Sequence, residues 1–189
     1  MKLLDRLTNW ATKRNIFILL VIFIAFNTLV WPYVVARIEA QSGGVGPLDV
    51  MFSYSPAEAY EMIEAYGAEG RQFYTIVEIT ADLVYPLSTS LLFGLLLAYI
   101  YRRTFPGNKV IRKLILFPIV PLVTDYAENL GVVIMLASYP EQLPAVARVA
   151  SFMTSAKWIS VGVTVAIVVV GFAALLVKKI ASLRGRKKT

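Results

Sequence analysis

Two apolar stretches of this chain carry acidic residues at helical spacing. Glu78 and Asp82 stand four residues apart in one, and Asp125, Glu128 and Asn129 share the other. Positions i, i+3 and i+4 are neighbours on a helix surface, so each set occupies a single face. Tyr85, three residues after Asp82, adds a hydroxyl to the first face, and Lys157, at the head of another apolar run, is the obvious internal counter-charge. An ionised carboxylate at the centre of a bilayer costs at least ~2.5–3.5 kcal/mol on insertion scales. Such groups must therefore be paired, protonated, hydrated or bound to a cation. Three chemistries fit them. Asp82, Asp125, Glu128 and Asn129 could offer a hard cation an all-oxygen shell. The carboxyls could act as general acid and base on a lipid held between helices. They could also bind an amine, or pass protons or cations across the membrane. The spacing matches no metal motif and lacks the aspartate-rich pattern of prenyl-diphosphate or CDP-alcohol enzymes, so it assigns no metal, and it names no catalytic residue or cofactor. The structural alternative is an ion-pair network that fixes helix packing and does nothing else.

Composition narrows the field further. The chain contains no cysteine and no histidine, which excludes disulfides, thiolate nucleophiles, imidazole acid–base catalysis and the usual zinc, haem and iron–sulfur sites. Of its 189 residues 58% are hydrophobic and 16% charged, too apolar for one globular core, so lipid must be the solvent for much of the surface.

The elements that must position the acids follow from four apolar runs, at about residues 15–35, 73–100, 114–137 and 158–177, each long enough to cross ~30 Å of hydrocarbon. The expected fold is all-α: a polytopic membrane protein with a single four-helix transmembrane domain over residues 1–189. Basic residues cluster at Lys2, Arg6, Lys13 and Arg14, at Arg102, Arg103, Lys109, Arg112 and Lys113, and at Lys178, Lys179, Arg184, Arg186, Lys187 and Lys188. Four spans put all three clusters on one side, and the positive-inside rule makes that side, with both termini, cytoplasmic in a cell membrane. The net charge of +7 then reads as contact with anionic headgroups, not with nucleic acid. The first run exceeds the usual h-region of a cleaved signal and reads as a retained anchor.

The loop at 37–72 opens with the flexible string Gln41-Ser-Gly-Gly-Val-Gly-Pro47. Ser55-Pro56-Ala57-Glu58 then starts a short amphipathic helix with an N-cap, a proline at the first position and a capping-box glutamate. Glu58, Glu61 and Glu64 take one side of it and Tyr60, Ile63 and Tyr66 the other, with Gly67 and Gly70 ending it. It would lie on the outer mouth of the bundle, as a structural cover or as a lid. Residues 104–108 and 139–144 read as turns, the second leading into a short interfacial helix near 145–152. Ser151, Ser155 and Gly162 would allow close helix contact. Pro86, Pro118 and Pro121 free backbone carbonyls beside the acids and help to open a cavity there.

Four spans, a sizeable first outer loop, intramembrane acids and a basic tail resemble the layout of the emopamil-binding protein superfamily. The resemblance implies acidic residues that bind or isomerise a sterol-like amphiphile in a lipid-facing cavity. It covers architecture only, since neither Glu78-Ile-Thr-Ala-Asp82 nor Asp125-Tyr-Ala-Glu-Asn129 matches that family's motifs. The leading expectation is an acid-lined cavity that binds or processes a lipid or amphiphilic small molecule. A non-enzymatic subunit or assembly factor, whose acids hold helices or a partner in a larger membrane complex, is the second. A small cation- or proton-coupled transporter, working as a homo-oligomer, is the third.

Overall fold

The structure, a computed structural model, describes residues 2–186, so Lys187 and Lys188 of the third basic cluster lie outside the described residues. It is all-α, with no strand among the described residues. Four helical stretches are long and apolar enough to cross a membrane: Lys13–Ser42, Gly67–Thr104, Lys109–Ser138 and Pro144–Arg184. Large apolar side chains such as Phe17, Leu29, Val123, Leu130 and Val170 point outward and are more than half exposed, while Glu78, Asp82, Glu128 and Lys157 are buried. That inversion of the soluble pattern is what a lipid solvent demands.

An amphipathic helix α1 (Lys2–Trp10) precedes the first span. That span comprises α2 (Lys13–Ala25), a wide π turn at Phe26–Val30 and α3 (Trp31–Ser42). Pro32 lacks the N–H that would meet the Thr28 carbonyl, and the turn before it widens: the Trp31 N–H reaches back to Phe26. Gly43, at φ +69°, ends α3 in the left-handed conformation that glycine adopts without steric cost.

Helix α4 (Pro56–Ala65) carries the capping box foreseen from Ser55 and Glu58, and two donors of Ser55, its backbone N–H among them, hold the Glu58 carboxyl below its usual range. The second span is broken. Helix α5 (Gly67–Glu78) begins directly after α4, with Gly67 at φ +63°, and Ile79 and Thr80 separate it from α6 (Ala81–Thr104). Gly70 therefore lies inside α5 and does not end α4. A Cβ there would stand 3.1 Å from Tyr66 Cβ, so glycine serves close packing at this position.

The third span starts as α7 (Lys109–Lys113), loosens through a 3-10 turn, and continues as α8 (Ile119–Ser138) once Pro118 has passed. The fourth, α9 (Pro144–Arg186), is one continuous helix. The separate helix expected near 145–152 is simply its first turns, because no breaker falls between Val146 and Trp158.

Helices α8 and α9 pack most intimately. Gly131 faces Ala150 so closely that an added Cβ would lie 2.8 Å from the alanine methyl. Ala147, Ala150 and Thr154, all with no exposed surface, form the matching small-residue stripe on α9. One apolar cluster, around Ile38, Tyr66, Tyr74 and Met135, fills the loop end of the bundle, and a second, around Leu95, Ala98 and Ile115, fills the other end. That other end also gathers basic residues. Arg112 pairs with Asp5 of α1, Arg102 donates to the Thr8 carbonyl, and Lys178 donates to the carbonyls of Arg103 and Thr104.

Candidate functional site

The acids occupy a buried polar layer between the two apolar clusters, and the break in the second span sets their positions. Pro86 has no N–H to offer the Asp82 carbonyl four residues earlier. Asn129 of α8 supplies the missing donor, its Nδ2 standing 3.1 Å from that oxygen. The amide thus repairs the proline's defect and ties α8 to the head of α6. Replacing Asn129 with leucine is expected to cost about 1–3 kcal/mol, the penalty for stranding a buried carbonyl. Thermal unfolding in mild detergent measures it, and an unchanged midpoint would mean that the bond contributes nothing.

The acids of the two apolar stretches divide into two groups. Glu128, with no exposed surface, forms an ion pair with Lys157 at 2.6 Å and accepts a hydrogen bond from Thr154 Oγ1 at 2.7 Å. This is a closed lock between α8 and α9. Glu78, Asp82 and Asp125 instead line a cavity of about 310 Å³, joined there by Tyr85 and by Lys157 from its other side. Glu128 and Asn129 are not among its lining residues. The Oε2 of Glu78 and the Oδ1 of Asp125 are buried without a hydrogen-bond partner among the described residues.

A fourth acid joins them from an unexpected direction. The segment between α3 and α4 folds back into the end of the bundle, burying Leu48 completely and delivering Asp49 to the cavity. One carboxylate oxygen each from Asp49, Glu78 and Asp82 lie within 4.8 Å of one another. Irregular backbone at this depth survives only if its polar groups find partners, and here they do. Tyr66 donates to the Gly46 carbonyl at 2.9 Å, Lys157 to that of Asp49 at 3.3 Å, Trp158 Nε1 to that of Met51 at 3.0 Å and Ser155 to that of Phe52 at 2.8 Å. Ser151 accepts from the Tyr54 N–H at 2.9 Å. Tyr74 donates to the Asp49 carboxylate at 2.7 Å and fixes its direction. Burial pushes the Tyr54 and Tyr66 hydroxyls above their usual range, and Tyr66 is the one of the two that donates.

Most of the remaining wall is apolar and aromatic, with Phe23, Trp31 and Val34 from the first span, Phe93 from α6, and Trp158 and Val161 from α9, while Thr89, Ser90 and Thr164 add hydroxyls. Tyr85 sits at the seam. Its ring packs against those of Phe23, Phe26 and Trp31, and its hydroxyl accepts from Asn27 Nδ2 at 3.2 Å. Asn27 is itself presented by the π turn. The cavity therefore has one wall of oxygen atoms and one of hydrocarbon, at a volume near the lower end of the ~300–1,000 Å³ usual for ligand sites. Unit charges of like sign 4 Å apart repel by about 4 kcal/mol at an effective dielectric constant of ~20. Three carboxylates this close call for a compensating proton or cation.

No family model, no curated protein and no solved structure matches this chain.

The resemblance drawn from layout therefore stands on layout alone. Sequence reasoning named Glu78, Asp82, Asp125, Tyr85 and Lys157, all of which line the cavity, but passed over Asp49, Asn27 and Thr154. Asp49 had one local signal: it is an acid flanked by the apolar Leu48 and Val50 just after a glycine-rich stretch. Ser151, Ser155 and Trp158, spaced to share a face of α9, marked the surface that receives this loop.

Proposed function

We propose that this is a multi-pass membrane protein, basic face and both termini cytoplasmic, whose cavity binds a lipid or amphiphilic small molecule. The observation that carries the reading is the joining of acidic and hydrocarbon side chains in one cavity lined by all four spans. The apolar wall of Phe23, Trp31, Phe93 and Val161 takes the tail, and Asp125 and the Tyr85–Asn27 pair meet the polar end. Helix α4 covers the loop end, with Tyr60 and Ile63 buried beneath it and Glu58, Glu61 and Glu64 exposed. Gathering of the basic residues around the Arg112–Asp5 pair at the opposite end supports the orientation. The second reading, a subunit whose acids hold helices together, draws its support from the Glu128–Lys157 lock. That lock is internal to the chain and accounts for one acid, leaving Asp125 with an unpartnered oxygen facing the cavity.

Native mass spectrometry with lipidomics, on protein purified gently from its own membrane, tests the proposal. A single amphiphile is expected to accompany the wild-type chain and to be reduced at least tenfold in Asp125→Asn, while Glu64→Gln on exposed α4 retains it. Bulk phospholipid alone in every sample, or a stoichiometric protein partner in place of the amphiphile, would overturn it.

A further inference from the structure

We propose that Asp49, Glu78 and Asp82 form a binding site for a calcium-sized hard divalent cation at the loop end of the cavity. Three carboxylates from three different elements, the re-entrant segment, α5 and α6, each bring an oxygen to within 4.8 Å of the other two. Ligand oxygens on opposite sides of a calcium ion stand about 4.6–5.2 Å apart, against about 4.0–4.2 Å for magnesium. Oxygens no further apart than 4.8 Å stand at about the spacing that ligands of one calcium-sized ion adopt. Charge points the same way. Among the described residues no lysine or arginine pairs with any of the three, and the nearest internal base, Lys157, is already bound to Glu128 and to the Asp49 carbonyl.

A separate observation at the same place concerns Glu78. This residue is 1% exposed, it lines the cavity, and its Oε2 has no hydrogen-bond partner among the described residues. A buried carboxylate oxygen without a donor, on a residue that lines a cavity, is the arrangement a cation completes, since the interior otherwise leaves few polar atoms unsatisfied. The surroundings are also those of a built site. Tyr74, itself 1% exposed, donates to the Asp49 carboxylate and aims it, as outer-shell groups do for metal ligands. The break at Ile79 and Thr80 lets Glu78 and Asp82 approach the loop from separately oriented helices. Sequence motifs could not reveal this set. Its first ligand lies 29 residues before the second, and the chain returns to it only through the folded loop.

The cation site stands apart from the amphiphile reading and needs no lipid ligand. Full-length protein in zwitterionic nanodiscs is stripped with chelator and titrated with Tb³⁺ alone, its emission sensitised by Tyr74 and Trp158. Ca²⁺ is then added to compete the Tb³⁺ away. Saturable binding of one ion, displaced by Ca²⁺, is expected in the wild type and in Glu64→Gln. Glu78→Gln, Asp82→Asn and Asp49→Asn are each expected to weaken it tenfold or more. Asp49→Asn changes only the loop, so it remains decisive if a helix variant fails to fold. No saturable binding in the wild type, or wild-type affinity in Asp49→Asn and in the folded helix variants, would overturn the site. Neither result depends on whether an amphiphile co-purifies.

Discussion

Lys157→Met is expected to lower the stability of the bundle by about 3–5 kcal/mol, the cost of leaving a buried charge without its partner. Glu128 has no exposed surface and its ion pair with Lys157 is the means by which its charge is tolerated. The Thr154 hydroxyl satisfies only one oxygen of that carboxylate. Lys157 also donates to the Asp49 carbonyl, so the substitution loosens the loop as well as the α8–α9 contact. Combining it with Glu128→Gln removes the stranded charge and is expected to recover most of the loss, because well-packed neutral groups often match a buried ion pair. Chemical unfolding of the two variants in detergent distinguishes these states. A single variant as stable as the wild type would show the pair to be dispensable, and a double variant no better than the single would locate the loss in the loop.

Gly131→Val is expected to cost about 3 kcal/mol, at the upper end of the range for overpacking. Its Cβ would begin 2.8 Å from Ala150 Cβ and 3.5 Å from Ala150 Cα. Neither atom can swing aside as the tip of a long side chain could, so α8 and α9 must separate along the surface where they fit best. Separation would also stretch the 2.6 Å Glu128–Lys157 pair one turn away. The thermal midpoint should fall steeply, and Ala150→Gly in the same chain should restore part of it. If the valine variant melts like the wild type, the helices are not held at this distance.

Both expectations rest on contacts between segments far apart in the chain, and that separates what could be read from what could not. The four spans were legible because a run of apolar residues must find lipid wherever its neighbours go. The face carrying Asp125 was legible because helical periodicity is local, whereas Glu78 and Asp82, read as neighbours on one helix, fall on either side of a break. Helix α1 was overlooked because its basic residues were absorbed into the topology argument, although Leu4 and Leu7 pack against the core. The break at Ile79 and Thr80 carries no glycine or proline, so no residue type at that point announces it. Asp49 lay in the 37–72 loop and was given no role there. Hydrogen bonds from α9, with those of Tyr66 and Tyr74, convert that stretch into ordered structure, and a partner 100 residues away leaves no trace in local composition. The charges of Glu128 and Lys157 were noticed, but their pairing, and Glu128's withdrawal from the cavity, depend on where α8 and α9 touch.

The seating of the loop bears on the order in which the protein can be put together. Ser151, Ser155, Lys157 and Trp158 all belong to the fourth span, and each bonds the loop backbone some hundred residues earlier. Until the ribosome has made that helix, the carbonyls of Asp49, Met51 and Phe52 and the N–H of Tyr54 lack the partners with which they are buried. The first three spans can enter the bilayer while the loop stays wet, and its burial is the closing act of biogenesis. A chain cut off after the third span should therefore carry a loop that proteases and water-borne reagents reach freely, on a molecule whose membrane insertion is otherwise well advanced.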